Sequence, residues 1–427
     1  AEQARIDTEY DQLHNRFGSV AYDPGYQYQL SVQEAALLDA TAAWSEDQLQ
    51  YSVSSALLSR GTNTQSKIED NNIEGANVTL EAYRIGQVLA EDIYIDLSVG
   101  IENLTSAQLA ALAGAELDDV YFDDLNDKTK MRIVQRDDLN VSATGNLDVT
   151  AVKDVYLGGK NDFNIYNVQG DTVRIKTDGN IESANGSNVV ITGHDVVLEA
   201  SSGAIGGQGA VHMNVSGDVV ARAVSLNLAQ AADLRVLRLT GSDAITLALG
   251  GNLLASGQNG EHLLGGTINL TIEGDLGSVD ERIQLNSQTD EIALDIGGDA
   301  WIGAMQGVIV QPGNLNLGTV IVDGLLDIGQ ATTLTQSGDW SLGSLLLNLG
   351  SNWRMNAGTS VTAGGSLSAT LGNLATLGDL TVTGNNGLLS LTASQLIANE
   401  DGVRWVSADR LALRSTGLVG GTGNIGQ

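Results

Sequence analysis

The chain lacks cysteine altogether and has only two prolines, Pro24 and Pro312, among its 427 residues. Without cysteine the fold cannot depend on disulfides, and both thiol catalysis and cysteine-ligated zinc sites are excluded. Proline has no amide hydrogen to donate, so it is confined to strand edges and bulges. Its scarcity therefore predicts strands that are hydrogen-bonded on both sides along most of the chain.

Aromatic and basic residues are also scarce. Aromatic side chains make up 4% of the chain and hydrophobic residues 42%, so a core would consist mainly of Val, Ile, Leu and Ala. The 21 Lys and Arg residues are outnumbered by 52 Asp and Glu, which gives a formal net charge of −31. A field of that sign repels phosphate backbones and anionic lipid surfaces. We therefore expect no nucleic-acid partner.

Long apolar runs are missing as well. No stretch approaches the roughly 20 apolar residues of a membrane-spanning helix, so we expect no membrane insertion. The chain opens on Ala1-Glu2-Gln3-Ala4-Arg5, which is not the apolar core of a signal peptide. If the protein is exported, we expect its export signals to lie outside this chain.

Glycine, in contrast, is abundant, with 52 residues, and much of it belongs to a recurring phrase. A Gly followed by Asn or Asp opens a run of alternating apolar positions at irregular intervals of about two dozen residues. The Gly suits a corner with an unusual φ or a close backbone contact, and the Asn or Asp can bond to neighbouring backbone groups. The copies begin at Gly145-Asn146, Gly251-Asn252, Gly274-Asp275, Gly298-Asp299, Gly338-Asp339 and Gly378-Asp379.

A repeat this short cannot bury its own apolar face, so successive copies must stack on one another. The sequence therefore predicts an all-β solenoid. Alternating apolar residues continue from Leu139 onward, and we assign residues 139–427 to the solenoid repeat region. A sandwich or barrel would also alternate, but would show more hairpin signals over such a length.

The first third of the chain has a different pattern. Ile6, Tyr10, Leu13 and Phe17 fall on one stripe of an amphipathic helix. We expect residues 1–70 to form a helical N-terminal region or cap.

Residues 71–138 combine the solenoid phrase with helix signals. The segment 73–82 has the alternation of a strand, whereas Thr105 and Gln108 form a capping-box pattern before an Ala-rich run. We therefore predict the first solenoid coils here, with a helical insertion near residues 105–117. A separately folding N-terminal domain is the alternative.

The strand openers, the strand 77–82 and the Gly-rich corners at Gly203 and Gly417 carry a family resemblance. They resemble the large repetitive exoproteins of Gram-negative bacteria, the filamentous-haemagglutinin-like adhesins, over about residues 70–427. The resemblance implies a right-handed parallel β-helix used as an extracellular stalk or adhesive fibre at the bacterial cell surface. The expected partners are a glycan or protein receptor on cells or matrix, and further copies of the repeat joined end to end or laterally.

Two motifs of such proteins are absent from the sequence. Neither proline follows Asn, so the Asn-Pro motifs of two-partner secretion domains are missing and the export route stays open. The Gly-rich corners do not continue into the Gly-Gly-x-Gly-x-Asp pattern of calcium-binding β-rolls. We therefore expect no calcium roll.

Clustered carboxylates make one candidate cation site. Hard cations such as Ca²⁺ take six to eight oxygen ligands, which an acidic cluster can supply. The spacing matches no EF-hand loop, and a solvated acidic loop is the alternative. We expect no other cofactor. The candidate calcium ligands are Asp118, Asp119, Asp123, Asp124 and Asp127.

Tryptophans are the other candidate contact residues. Exposed indole rings could stack on a sugar or on a partner protein, whereas buried rings would only pack. The candidates are Trp301, Trp340, Trp353 and Trp405.

These features predict a structural and adhesive segment of a giant bacterial surface or secreted fibre protein, which attaches to cells or biofilm matrix. We expect no enzyme. Polysaccharide lyases and hydrolases also use parallel β-helices, but they need carboxylates that converge beside basic residues. The closest local matches are Arg136-Asp137-Asp138 and Asp280-Glu281-Arg282. A polysaccharide-active enzyme and a self-assembling fibre spacer are the alternatives.

Overall fold

The computed structural model describes residues 72–417, apart from short gaps. The gaps are residues 89–92, 97–102, 106–107, 109–110, 112–119, 125–126, 134–135, 257–261, 307–310 and 399–405. The predicted helical region at residues 1–70 lies outside the described residues, as does Trp405.

Nearly all regular structure in the described part is β-strand. The strands are β1 Ile73–Gly75, β2 Val78–Ala82, β3 Gln87–Val88, β4 Ile93–Asp96, β5 Val120–Asp124, β6 Asp127–Ile133, β7 Arg136–Asp137, β8 Leu139–Ala143, β9 Asn146–Ala151, β10 Val155–Gly159, β11 Phe163–Gln169, β12 Thr172–Thr177, β13 Ile181–Ser183, β14 Ile191–Gly193, β15 Asp195–Ala200, β16 Val211–Val215, β17 Asp218–Gln230, β18 Leu234–Leu249, β19 Leu253–Ala255, β20 Leu263–Ile272, β21 Ile283–Ile296, β22 Ala300–Gly303, β23 Met305–Gln306, β24 Gln311–Leu317, β25 Val320–Gln336, β26 Trp340–Leu349, β27 Trp353–Met355, β28 Ser360–Ala363, β29 Leu367–Leu371, β30 Leu374–Leu377, β31 Asp379–Val382, β32 Leu388–Ala393, β33 Gln395–Ala398, β34 Val406–Ser407 and β35 Arg410–Ser415.

Apart from the short antiparallel pair β23 and β24, the strands of the coil pair in parallel with the equivalent strand one turn further along the chain. Val149 pairs with Val168, Val168 with Ile191, and Ile191 with Met213. The pairing places apolar residues of successive coils directly above one another. The predicted all-β parallel solenoid is thereby confirmed, with about 11 turns. Its right-handedness stays a prediction.

A single hydrophobic core runs through the solenoid. One continuous cluster of buried residues extends from Val78 to Leu396, and nearly all of its members are Val, Ile, Leu and Ala. Every second residue of a strand such as β29 points into this core, because side chains alternate across a strand. The scarcity of aromatics in the sequence thus matches a lumen that is filled by aliphatic side chains.

The first coil is interrupted by an excursion of the chain. Ile85 bridges to Val155 of the next coil, and the chain then leaves through β3, which pairs antiparallel with the returning β7. Between them, β4, β6 and β5 form a separate antiparallel sheet. Coil pairing resumes at β8, so Asn146 donates to Asn77 from 69 residues further along the chain.

The predicted capping box is present inside this excursion. The backbone N–H of Thr105 donates to Gln108 Oε1 at 2.9 Å, and the backbone N–H of Gln108 donates to Thr105 Oγ1 at 3.2 Å. Gln108 and Ala111 have helical conformation. The rest of the predicted helical insertion falls largely on residues that the structure does not describe.

The Gly-Asn and Gly-Asp phrases form a ladder at one corner of the solenoid. Oδ1 of Asp233 accepts the backbone N–H of Asn252 at 2.8 Å, and Oδ1 of Asn252 accepts that of Asp275 at 2.7 Å. Oδ1 of Asp275 in turn accepts the N–H of Asp299 at 2.8 Å, and Oδ1 of Asp299 accepts that of Leu325 at 2.6 Å. Each side chain thereby ties its own coil to the next.

The ladder also explains why a glycine precedes the Asn or Asp. A methyl group on Gly298 would overlap the Asp275 carboxylate and the backbone of Gly274 one coil earlier. Gly274 sits in the same way over Asn252. The Asn or Asp of one coil therefore requires a residue without Cβ at the neighbouring position of the next.

Candidate functional site

Charged side chains collect on the outward side of one sheet of the solenoid. Tyr156 pairs with Arg174, and Arg174 with Val197. Val197 pairs with Val220, and Val220 with Arg238, so all five lie on the same outward row. A second row places Lys176 opposite Glu199. We call this set the charged strip: Asp138, Tyr156, Arg174, Lys176, Glu199 and Arg238.

The charged strip is buried although it faces away from the core. Strand β12 is buried from Val173 to Thr177, and its outward residues Arg174 and Lys176 are 6% and 4% exposed. Tyr156 and Glu199 are 3% exposed. Alternation along the strand fixes which residues point outward, but it does not predict that both sides of the sheet are covered.

Two ion pairs hold the strip together. Nε of Arg174 lies 3.7 Å from a carboxylate oxygen of Asp138, and Nζ of Lys176 lies 3.5 Å from Glu199. Burial lowers the pKa of Lys176 to about 8, because desolvation disfavours the ammonium more than the Glu199 carboxylate favours it. The strip therefore carries an amine that can lose its proton at mildly alkaline pH.

A third ion pair spans three coils on the same sheet. The Arg282 guanidinium donates to Oδ2 and to the backbone carbonyl of Asp327, both at 2.9 Å, and to the carbonyl of Ile302 at 3.4 Å. Gly329 leaves room for this guanidinium, because a Cβ atom at position 329 would lie only 3.1 Å from Cζ of Arg282. Nearby, the buried ring of His262 accepts the backbone N–H of Gln284 through Nδ1.

The local match Asp280-Glu281-Arg282 does not form an acid–base site. Asp280 and Glu281 are exposed, whereas Arg282 contacts Asp327, 45 residues away. At the other local match, Asp138 pairs with Arg174. Sequence reasoning missed Asp327, Glu199 and Lys176 as partners. Their separation by one or two coil lengths is the signal that could have identified them.

Two of the candidate tryptophans are core residues. Trp340 is 1% and Trp353 0% exposed, and their rings stack with centroids 6.4 Å apart inside the lumen. Rings buried in this way cannot contact a ligand, so these two are removed from the candidate contact residues. Trp301 is partly exposed, and Trp405 lies outside the described residues. Among described aromatics, Tyr83 and Tyr94 are the most exposed, at 66% and 61%.

The candidate calcium ligands are only partly described. Asp118 and Asp119 lie outside the described residues, and Asp123, Asp124 and Asp127 belong to β5 and β6. Asp124 pairs with Asp127 at the turn between these strands. Calcium binding there stays a prediction. Elsewhere in the described ranges, no group of three or more His, Asp or Glu is arranged to hold a metal ion.

The same sheet that carries the charged strip is open to solvent further along the chain. Pairing continues through Ile328, Leu347, Ala369 and Leu391, which face the core. The outward residues beside them form two rows that are exposed or partly exposed. We call these the open face: Leu346, Ser368 and Ser390 in one row, and Asn348, Thr370 and Thr392 in the other.

Hydroxyl groups on the open face make no side-chain hydrogen bond within the described ranges. Ser368, Thr370, Ser390 and Thr392 have no side-chain hydrogen bond to any residue in the described part of the chain. Corner hydroxyls behave differently: that of Ser394, for example, donates to the carbonyl of Gly372 at 3.1 Å. The open face therefore presents donors and acceptors to whatever lies outside the protein.

Among the described residues, no helical segment has the length and hydrophobicity that a bilayer crossing requires.

Comparison of the chain with models of protein families, with characterised proteins and with solved structures gave no match.

Proposed function

We propose that this chain is a structural and adhesive segment: a stiff rod that belongs to a bacterial surface or secreted fibre and contacts cells or matrix through its sides. The observation that carries the proposal is the uninterrupted core from Val78 to Leu396, paired coil by coil. At a strand spacing of about 4.8 Å, some 11 turns give a rod on the order of 50 Å long.

Stiffness follows from the way that coils are bonded. Each coil bonds to both neighbours through parallel backbone pairing, and the Asp233–Asn252–Asp275–Asp299 ladder adds side-chain bonds at one corner. Bending the rod would break several such bonds at once. Because the repeats contact only their neighbours, length can be added without redesigning the core.

The charge distribution favours lateral contact through the later coils. Residues 340–398 contain only Arg354 and Asp379 as charged residues, in a chain with a net charge of −31. A partner can approach this part with little repulsion and little cost from desolvating charges. The expected location outside the bacterial cell rests on the resemblance of the repeats to exoproteins.

The proposal is tested by a measurement of shape and one of attachment. Small-angle scattering of the purified chain should give the cross-section of a rod, and beads coated with the chain should attach to bacterial cells or matrix polysaccharide above uncoated beads. A globular scattering profile would contradict the rod. A rod that attaches to nothing would leave only the role of a spacer.

A polysaccharide-active enzyme is the second candidate, because charged side chains do converge on one face. Arg174, Lys176 and Glu199 lie on adjacent coils, as the catalytic groups of such enzymes must. Their burial and their pairing within the chain favour a structural role. The test is incubation with a polyuronate: release of new chain ends by the wild type, lost in Lys176→Met, would replace the structural assignment with an enzymatic one.

A further inference from the structure

We propose that Asn185-Gly186 is a site of spontaneous covalent modification, at which the asparagine side chain is converted to aspartate and isoaspartate. The chain contains three Asn-Gly pairs, at residues 185–186, 259–260 and 386–387. The pair at 259–260 lies outside the described residues. The other two pairs lie in turns between strands, and their surroundings differ in a way that leaves one pair reactive and holds the other.

The reaction needs only the two residues and water. The backbone nitrogen of the glycine loses its proton to a base in the solvent and attacks Cγ of the asparagine, and the Cγ–Nδ2 bond breaks with release of ammonia. Water then opens the cyclic imide at either of its two carbonyls, which gives aspartate or isoaspartate. Glycine favours the attack because it has no Cβ to obstruct a close approach of the backbone.

The backbone at Gly186 is free to make this approach. Gly186 is exposed, with a φ of 60°, and no atom lies within 4 Å of the position that its Cβ would take. Its N–H has no hydrogen-bond partner among the described residues. No bond of the attacking nitrogen therefore has to be broken first.

Asn188 places a donor on the oxygen that becomes charged in the reaction. Its Nδ2 donates to Oδ1 of Asn185 at 3.1 Å, and also to the carbonyl oxygen of Asn185 at 3.0 Å. Oδ1 gains negative charge as the glycine nitrogen adds to Cγ, and a donor already in place stabilises that charge. The turn thus favours attack on the Asn185 side chain.

The second pair is held in place by hydrogen bonds. Gly387 is buried, and its N–H donates to the carbonyl oxygen of Gly384 at 2.8 Å. The N–H of Asn386 donates to the carboxylate of Asp409 at 2.8 Å, and its carbonyl accepts from Nε of Arg410 at 2.9 Å. This pair must give up some of these bonds before its ring can close.

The modification changes the surface of the rod and leaves its core in place. Each event adds one negative charge at position 185, and isoaspartate also lengthens the backbone by one methylene in the turn between β13 and β14. The strands on both sides of the turn are paired with neighbouring coils, Ile181 with Phe163 and Ile191 with Met213. The surface charge of the rod therefore changes with age, while the coils stay stacked.

The test is incubation of the purified, folded chain at mildly alkaline pH, with conversion at each asparagine followed by peptide mass spectrometry. Asn185 should convert at least about tenfold faster than Asn386, because the bonds that hold Asn386 and Gly387 must first break. In the chain unfolded in guanidinium chloride, the two rates should agree within about threefold, since neither glycine is then held by hydrogen bonds.

Equal rates in the folded chain would overturn the inference. A ratio in the unfolded chain as large as that in the folded chain would overturn it as well, because the difference would then come from the flanking sequence.

Two variants separate the pairs. Asn185→Gln should abolish conversion in the peptide that contains residue 185, and a remaining signal at Asn188 would contradict the assignment. Asp409→Ala removes the acceptor of the Asn386 N–H, so it should speed conversion of Asn386 by about threefold and leave the rate at Asn185 unchanged. An unchanged rate at Asn386 would count against the protective role of these bonds. Circular dichroism checks that both variants fold.

Discussion

The charged strip and the open face are two stretches of the outward side of one sheet, and they differ in almost every property. On the strip, Arg174, Lys176 and Glu199 are buried and ion-paired. On the open face, Thr370 and Thr392 occupy equivalent outward positions, uncharged and in contact with solvent. The core behind both stretches is equally aliphatic. The solenoid thus keeps its inner residues mostly aliphatic, whereas its outward residues change in charge and exposure.

The difference shows that the outward side of the strands determines the charge and exposure of each part of the surface. Inward positions are constrained by packing, since each must fit its neighbours above and below. Outward positions are free to change from coil to coil, so charged, covered coils and neutral, open coils coexist in one rod. Four experiments would test or sharpen this contrast.

The largest effect is expected at the ion pair that spans three coils. Arg282→Met leaves the Asp327 carboxylate, 9% exposed in its side chain, without its partner. An uncompensated buried charge costs about 3–5 kcal/mol, which should appear as a lower midpoint in urea unfolding. The double variant Arg282→Met/Asp327→Leu should recover much of the loss. No recovery would show that the guanidinium acts through its carbonyl contacts instead.

A lysine substitution on each stretch compares the cost of adding a charge to the charged strip and to the open face. Val197 is 9% exposed and lies next to Arg174 on the strip, so Val197→Lys buries a charge beside a like charge and should cost about 3 kcal/mol. Thr370→Lys on the open face should change the free energy of unfolding by less than about 0.5 kcal/mol. Similar costs at both positions in urea unfolding would remove the contrast between the two stretches.

The strip should also give stability a pH dependence that the open face lacks. The pKa of Lys176 is about 8 in the folded chain and 10.5 in the unfolded chain. Between these values the unfolded chain binds more protons, so the free energy of unfolding should rise with pH, by on the order of 2–3 kcal/mol. As pH falls through 8 this contribution is lost.

The measurement is urea unfolding at intervals from pH 7 to 10.5, for wild type and Lys176→Met. Subtracting the two curves removes the contribution of tyrosines and other lysines that titrate in this range. Parallel curves would show that Lys176 is solvated.

The smallest effect is expected at the corner ladder. Corner bonds of this type occur in the coils of both stretches. Gly298→Ala forces a methyl group against Asp275 and should cost about 2 kcal/mol. Gly350→Ala is the matched control, because its Cβ would meet only ordinary contacts at 3.8 Å, and it should cost less than 1 kcal/mol. Thermal unfolding that ranks Gly350→Ala as the more damaging change would contradict the role given to the ladder.

Much of the fold can be predicted from the sequence because it depends on short-range patterns. Alternation along β29 and the Gly-Asp corner at Gly298 each involve residues a few positions apart. The capping box at Thr105 and Gln108 is equally local, and it forms as the pattern predicts. The burial of Trp340 follows the same local pattern, because Trp340 comes after Gly338-Asp339 as the buried Leu276 comes after Gly274-Asp275. Its stacking on Trp353 joins residues 13 positions apart, and no local pattern predicts it.

The sites were harder to predict because the coils differ in length. Corner bonds join residues 18 apart at Asp162 and Asn180, but 26 apart at Asp299 and Leu325. An error of one residue per coil moves a side chain to the opposite side of its strand. Over two coils, sequence alone could not pair Arg282 with Asp327.

The sequence by itself determined that this chain stacks short strands around an aliphatic core, since composition, alternation and Gly-Asn or Gly-Asp corners are properties of neighbouring residues. Only the tertiary structure decided that Lys176 meets Glu199, that one stretch of a sheet is covered, and that another is left open. Those contacts join residues a whole coil or more apart, and coil length is set by packing along the entire rod.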